Sequence, residues 1–380
     1  LTVVTLSHFT QHLYAGIAVL YPAIMAALGI SYTELGIALG AASVTSGLLQ
    51  LVFSLLTRYA PRGLLLGAGN LLMAAGSFLM GLVRGFYDFI ATNLIGNAGT
   101  APQHPVGVSM IADKYGRNGV GGALGIHYGL AYVGNVLSPA LLTAVSVAYG
   151  WRHALFVIAI PPAFMGVLLM LYLAPERARG PREAKMGLIR DLRSSFRTKG
   201  AWAVILAQAL LAGSTGMGAM VSYTPLFLAN ELHMDTLQTG ALFSLSMLAG
   251  VLGTLLIGHY SDRVGHLRAA MASAVVTSIA TFLLAFYRSA SLLLAPHLFV
   301  MGLAGFSITS VLQAYLSTIA QPAQRDILFG LFFTVGFGFG SVWSIVIGVL
   351  IDTYGSFAPA WALMAALGFT ATLLLWRGDS

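Results

Sequence analysis

The chain has 380 residues; 58% are hydrophobic, only 8% are charged, 19 are basic, 12 acidic and none is cysteine. That balance excludes a water-soluble surface, a disulfide framework and any thiolate metal site. The formal charge of +7 sits in short loops rather than on a folded basic domain, which excludes nucleic acid as an expected partner and leaves anionic lipid.

Runs of about 20 apolar residues recur along the whole chain, so the solvent must be a bilayer. Backbone groups in lipid must be satisfied within the protein, and unbroken apolar runs without two-residue alternation select helices over a barrel. Twelve spans are expected, at 2–28, 34–57, 63–83, 86–112, 119–147, 153–174, 201–229, 237–259, 268–287, 291–320, 327–350 and 357–376. The expected class is therefore an all-α membrane protein of twelve transmembrane helices.

Span one carries His8 and His12, four residues apart and so on one helix face. No carboxylate or cysteine accompanies them, and no metal or cofactor is expected. Gln50 lies in span two, and span four holds Asn97, Gln103 and His104-Pro105. Span five holds Gly125, His127, Gly134, Asn135, Ser138 and Pro139. The only long polar stretch, 175–200, divides the chain into bundles at 1–174 and 201–380, and its part Ala184–Phe196 has the pattern of a surface-lying amphipathic helix. Span seven brings Gln208, Met217, Met220 and Tyr223, and the loop after span eight reads Gly258-His-Tyr-Ser-Asp262-Arg263-Val-Gly265-His-Leu-Arg268. Span ten holds Gln313 and Tyr315, and span eleven holds Gly330, Gly336, Phe337, Gly338, Gly340 and Trp343.

Charge sets the orientation. With the N-terminus inside, the outward loops keep only Arg84, Arg152 and Arg288, and every other basic residue falls inside, eight of them in the 175–200 linker. Cytoplasmic loops hold the positive excess, so both termini are expected in the cytoplasm, and the membrane is expected to be the inner one. The halves read as copies. Gly36 precedes Arg58 and Gly240 precedes Asp262 by the same 22 residues, as in a duplicated six-helix unit with its substrate site between the repeats.

Ionisable residues within a span are functional candidates, because their burial is costly unless they serve or are paired. No acidic residue falls clearly at mid-span, whereas His12, His104 and His127 each lie about 12–16 Å deep at 1.5 Å per residue. All three belong to the first half. Their near-neutral titration suits proton coupling, with Gln50, Asn97, Gln103 and Asn135 as neighbours; each could equally serve as a single hydrogen-bond donor between packed helices. In the second half, Gln208, Tyr223, Gln313, Tyr315 and Phe337 are candidate substrate contacts, and packing is their simpler explanation.

The 258–268 loop resembles the signature loop of the major facilitator superfamily: a glycine, then Asp-Arg, then a glycine and a basic residue. In the first-half copy Arg58 stands where that signature has the acid. The resemblance implies two pseudo-symmetric six-helix bundles and a gating role for Gly258, Asp262, Arg263, Gly265 and Arg268. Gly125, Gly134, Ser138 and Pro139 match the spacing of the superfamily's antiporter motif, with Ser138 replacing its last glycine. Leu6-Ser7-His8, Tyr21-Pro22, Leu48-Leu49-Gln50, His104-Pro105, Gly134-Asn135 and the span-eleven glycines further resemble the fosmidomycin-resistance branch. That branch commonly has acids near the positions of His12 and Val106, and this chain has none there.

What the resemblance implies is a secondary active transporter, an exporter of a small drug-like or metabolite molecule driven by inward proton flow, working by rocker-switch alternation as a monomer. The alternative is a uniporter or importer that uses the histidines as ligand donors. An enzyme is not expected: there is no His-Glu-x-x-His helix, no nucleotide loop and no nucleophile constellation.

Overall fold

The computed structural model describes residues 1–57, 59–173, 200–215, 218–320 and 325–379. The described residues are helical throughout, and ten of their helices are long and apolar enough to cross a bilayer. The expected linker, Arg58 and Met217 lie outside the described residues.

The difference from twelve falls on spans four and seven. The helix Phe86–Thr100 stops at Ala101-Pro102 and passes through a π turn, Gln103–Gly107. The helix Ala201–Leu211 stops after eleven residues. Proline supplies no backbone donor and glycine weakens a helix interior. Pro102 and Pro105 therefore break the first apolar run, and Gly213 and Gly218 break the second.

The chain forms two compact units: Leu1–Ile30 with Ala41–Ala184, and Ser31–Gly40 with Lys185–Ser380. The first unit contains α1 (Thr2–Ala15), a 3-10 turn (Gly16–Leu20), α2 (Tyr21–Leu28) and most of α3 (Tyr32–Leu56). It continues with α4 (Arg62–Met80), α5 (Phe86–Thr100), the π turn, α6 (Val108–Tyr149) and α7 (Trp151–Tyr172). A straight helix would carry His127 about 34 Å from His104, yet both rings touch His8, at 4.6 and 5.2 Å between centroids. The 42-residue stretch assigned to α6 therefore folds back on itself, which returns the chain to the level it left.

The returning limb of α6 shows how the sequence sorts its faces. Ile126, Leu130, Val133, Leu137 and Leu141 are exposed, and His127, Ala131, Asn135, Ser138 and Leu142 are buried. The polar side is inside and the apolar side outside, which is the arrangement lipid demands. α7 repeats it with exposed Ile160, Phe164, Val167 and Leu171.

The second unit contains α8 (Ala201–Leu211), α9 (Ala219–Leu226), a second π turn (Phe227–Glu231), α10 (Thr236–Val264), α11 (His266–Leu284), α12 (Leu294–Ile319), α13 (Arg325–Tyr354) and α14 (Ala358–Asp379). Its core joins Val204, Ile308, Leu312, Phe332 and Leu375. α10 starts on a capping box in which Asp235 accepts from the Gln238 amide while Gln238 accepts from that of Asp235, so two otherwise orphaned donors are satisfied. The first turn of α3 is capped from a distance: Asp352 on α13 accepts from the amides of Tyr32 and Thr33 at 3.1 and 2.7 Å.

Candidate functional site

Three expected residues of the first unit converge. His12 comes from α1, His104 from the π turn and His127 from α6. They surround a fourth, His8, whose ring centroid is 4.7 Å from His12, 5.2 Å from His104 and 4.6 Å from His127. His8 and His127 are fully buried. The π turn matters here, because it shifts His104 inward and lets Gln103 point at α1.

The cluster is wired by hydrogen bonds. Nδ1 of His8 and Nε2 of His127 are 2.9 Å apart, and Nδ1 of His127 is 3.1 Å from the Thr5 hydroxyl. A neutral imidazole has one N–H, so two arrangements satisfy this chain. In one, Thr5 donates to His127, His127 donates to His8, and Nε2 of His8 carries a hydrogen. In the other, every bond is reversed and Nε2 of His8 offers a lone pair. That Nε2 is buried with no partner, as is Nε2 of His12. The Nδ1 of His12 pairs with Oδ1 of Asn135 at 2.9 Å. Tyr128 stands edge-on to His8, and Tyr132 to His12.

A ring of uncharged groups holds α1 in place. Ser7 donates to Oε1 of Gln103 at 2.7 Å, and Nε2 of Gln103 donates to the carbonyl of Val4. Asn70 on α4 donates to Ser7 and to the carbonyl of Leu66, and accepts from Thr10 at 2.6 Å. Asn97 donates to Tyr14 and to the carbonyl of Asn93. Gln50, half-buried on α3, makes no hydrogen bond among the described residues.

The antiporter-like motif is the α1–α6 seam. A Cβ at Gly134 would lie 2.8 Å from the Phe9 carbonyl and 2.9 Å from the Cβ of His12. Only glycine admits that approach, which in turn places Asn135 against His12. Ser138 donates to the carbonyl of Leu13, and Pro139 lies inside α6. Gly125 belongs to α6, and its surroundings lie outside the described residues.

The second-unit candidates do not form a comparable cluster. Tyr223 donates to the carbonyl of Ser344 and Trp343 to that of Ala209. Gln208 has a buried Oε1 with no partner. Phe337 stacks on Phe333, Tyr315 packs on the apolar core, and Gln313 is half-buried on α12. In the loop motif, Gly265 takes φ 96°, which glycine alone adopts without strain, and turns the chain between α10 and α11. Asp262 is exposed, and its described partner is the ring of His266, the first residue of α11, at 3.9 Å. His266 also meets the Ser261 hydroxyl at 2.9 Å. Gly258 and Arg263 close α10, and Arg268 stands in the first turn of α11.

Sequence reasoning placed His8 at one site with His12 but missed that it is the centre. It also missed Thr5, Ser7, Thr10 and Asn70. The available signal was periodicity: His8 and His12 share a face of α1, and Thr5 lies one turn before His8.

Apolar-out, polar-in helices in two units, with a buried histidine cluster in one, define a multi-span membrane protein. The family model described as Major Facilitator Superfamily matches residues 3–336 and 225–380, and the chain belongs to that superfamily. The chain is 27% identical over 254 residues to the probable L-galactonate transporter of Escherichia coli K12, covering 62% of this chain and 54% of that protein. It is 24% identical over 290 residues to the fujikurins efflux protein of Gibberella fujikuroi, covering 76% and 61%. It thus spans little more than half the length of these curated relatives. A putative metabolite transport protein of Haemophilus influenzae is 24% identical over 311 residues, covering 78% of this chain and 74% of its own. Among solved structures, a mutant of the nucleoside transporter NupG superimposes with a TM-score of 0.82 at 15% identity, covering 100% and 99% of the two chains. A bacterial homologue of the human lysosomal transporter Spinster gives 0.74 at 16%, covering 100% and 96%. These similarities establish the fold and a transporter family, not an enzyme family.

Proposed function

We propose that this chain is a proton-coupled secondary transporter of a small organic metabolite, and that His8, His12, His104 and His127 form its coupling site. The observation that carries this reading is the pair of unpartnered, buried ring nitrogens on His8 and His12 within a cluster of four imidazoles. Imidazole exchanges protons near neutral pH, and a buried ionisable group in a span is a functional site by default. The family membership supports rocker-switch alternation of two bundles, 1–174 and 201–380, joined by the 175–200 linker. An inner-membrane location with both termini inside belongs to the same reading and is supported by the distribution of basic residues.

The relatives' names widen the substrate panel to sugar acids, nucleosides and secondary metabolites, and the fosmidomycin-branch resemblance adds small phosphonates. Export driven by proton entry is one direction this site supports; metabolite import is the other. The deciding test is a proteoliposome assay with an internal pH dye and that panel. Substrate-dependent proton flux that disappears in His104→Gln and His127→Gln, with the melting temperature kept, is the expected result. Labelled substrate equilibrating with no proton movement would return the histidines to packing.

A further inference from the structure

Four basic side chains are packed together here without an acid. Among the described residues, the side chains that hydrogen-bond or stack around the cluster are neutral: Thr5 and Ser7 on α1, Asn70 on α4, Gln103 on the π turn, and Tyr128, Tyr132 and Asn135 on α6. Among the described residues, the charged side chains of those elements stand elsewhere. Arg62 on α4 pairs with Asp113 on α6 at 2.7 Å. Arg152 on α7 is bonded to the carbonyls of Gly81 and Val83. Lys114 lines a cavity of about 330 Å³ with Leu1, Tyr172 and Leu173. No acid or permanent cation of the chain stands at mid-span in the sequence.

Two consequences follow. A proton placed on the cluster has no carboxylate to balance it, and an isolated buried charge is strongly disfavoured. An anion placed there has no arginine or lysine to meet it, so it too is disfavoured unless an imidazole is protonated. Each ion supplies what the other lacks. Linkage then makes the effect reciprocal: whatever the anion does to proton affinity, the proton does to anion affinity.

We infer that the histidine cluster binds a small organic anion, a carboxylate or phosphonate, together with a proton, and that the two travel as a neutral pair in the same direction. His8 and His12 are the binding residues, through their buried, unpartnered Nε2 atoms. His127 is the positioning residue, because the direction of its bonds to Thr5 and His8 goes with whether Nε2 of His8 presents a hydrogen or a lone pair. This rests on the coupling reading above but sets its sign: anion and proton assist one another, whereas an antiporter requires them to compete.

The experiment uses the full chain in detergent at pH 6.5 with minimal buffer and a pH dye. Sodium gluconate, acetate and methylphosphonate are added in turn, with the neutral polyol galactitol as control. The expected result is uptake of about one proton per protein with at least one anion and none with galactitol, as reciprocal linkage requires. That uptake should disappear in His8→Gln and, should that variant melt early, in His12→Gln. Proton release on adding an anion overturns the inference but leaves a coupled transporter. No proton change with any of the three anions also overturns it. Histidine ¹⁵N spectra against pH then judge the coupling reading separately: a cluster that still titrates keeps that reading, and one that never titrates removes both.

Discussion

The two units bury polar groups in different ways. In the first, the buried side chains of α1 bond to other helices, to α6 through the histidines and Asn135 and to α4 through Ser7, Thr10 and Asn70, while Ser77, Thr92 and Asn93 bond back within their own helices. In the second, buried hydroxyls mostly bond back one turn within their own helix. Thr215 donates to Leu211, Thr277 to Ser273, Ser278 to Ala274 and Ser307 to Ala304. A hydroxyl bonded to its own helix is satisfied without any neighbour, so helices of the second unit are held mainly by apolar packing. The difference is that α1 of the first unit carries polar residues bonded across helices around a site, while the second unit's buried hydroxyls mostly satisfy themselves within their own helix.

This contrast can be broken by substitution. His8→Gln should lower proton-driven flux on the order of 100-fold, the scale of losing a positioned proton-transfer group; an unchanged flux would mean that both units merely pack. Phe332→Ala removes a fully buried ring from the second core and should cost about 3–5 kcal/mol. It should appear in thermal unfolding and leave the number of protons moved per substrate unchanged. Gly134→Leu drives a side chain into Phe9 and His12 and should cost about 1–3 kcal/mol. Unlike Phe332→Ala, it should also lower flux, because Asn135 loses its register with His12. Asp352→Ala removes the distant cap of α3 and should cost about 1 kcal/mol, seen as faster hydrogen exchange at the Tyr32 and Thr33 amides.

Much of this was legible in the sequence for plain reasons. Apolar runs report spans because lipid leaves a chain few options, and three of the four histidines stood out because few other residues in the spans ionise. His8 was passed over because a histidine beside another raised only the question of a metal. Its centrality depends on α6 folding back and on the π turn at Gln103–Gly107, and neither has a simple sequence signature. Asn70, Ser7 and Thr10 were hidden by being ordinary polar residues. The breaks in spans four and seven were hidden because mean hydropathy averages over the prolines and glycines that cause them. The second-half candidates were chosen for residue type, Gln208, Gln313 and Tyr315 as polar groups and Tyr223, Phe337 and Trp343 as aromatic contacts, and Tyr223 and Trp343 bond to backbone carbonyls.

One contact places this site a single mutational step from a different device. The Nδ1 of His12 meets the amide oxygen of Asn135. Asparagine and aspartate codons differ by one nucleotide, and their side chains have nearly the same shape. That one-base change would install a fixed negative charge on the imidazole without moving an atom of the scaffold. A lineage carrying it would hold its proton without waiting for a ligand and would favour cationic cargo, so the polarity of what such carriers move can turn over quickly between close relatives while the architecture stays still.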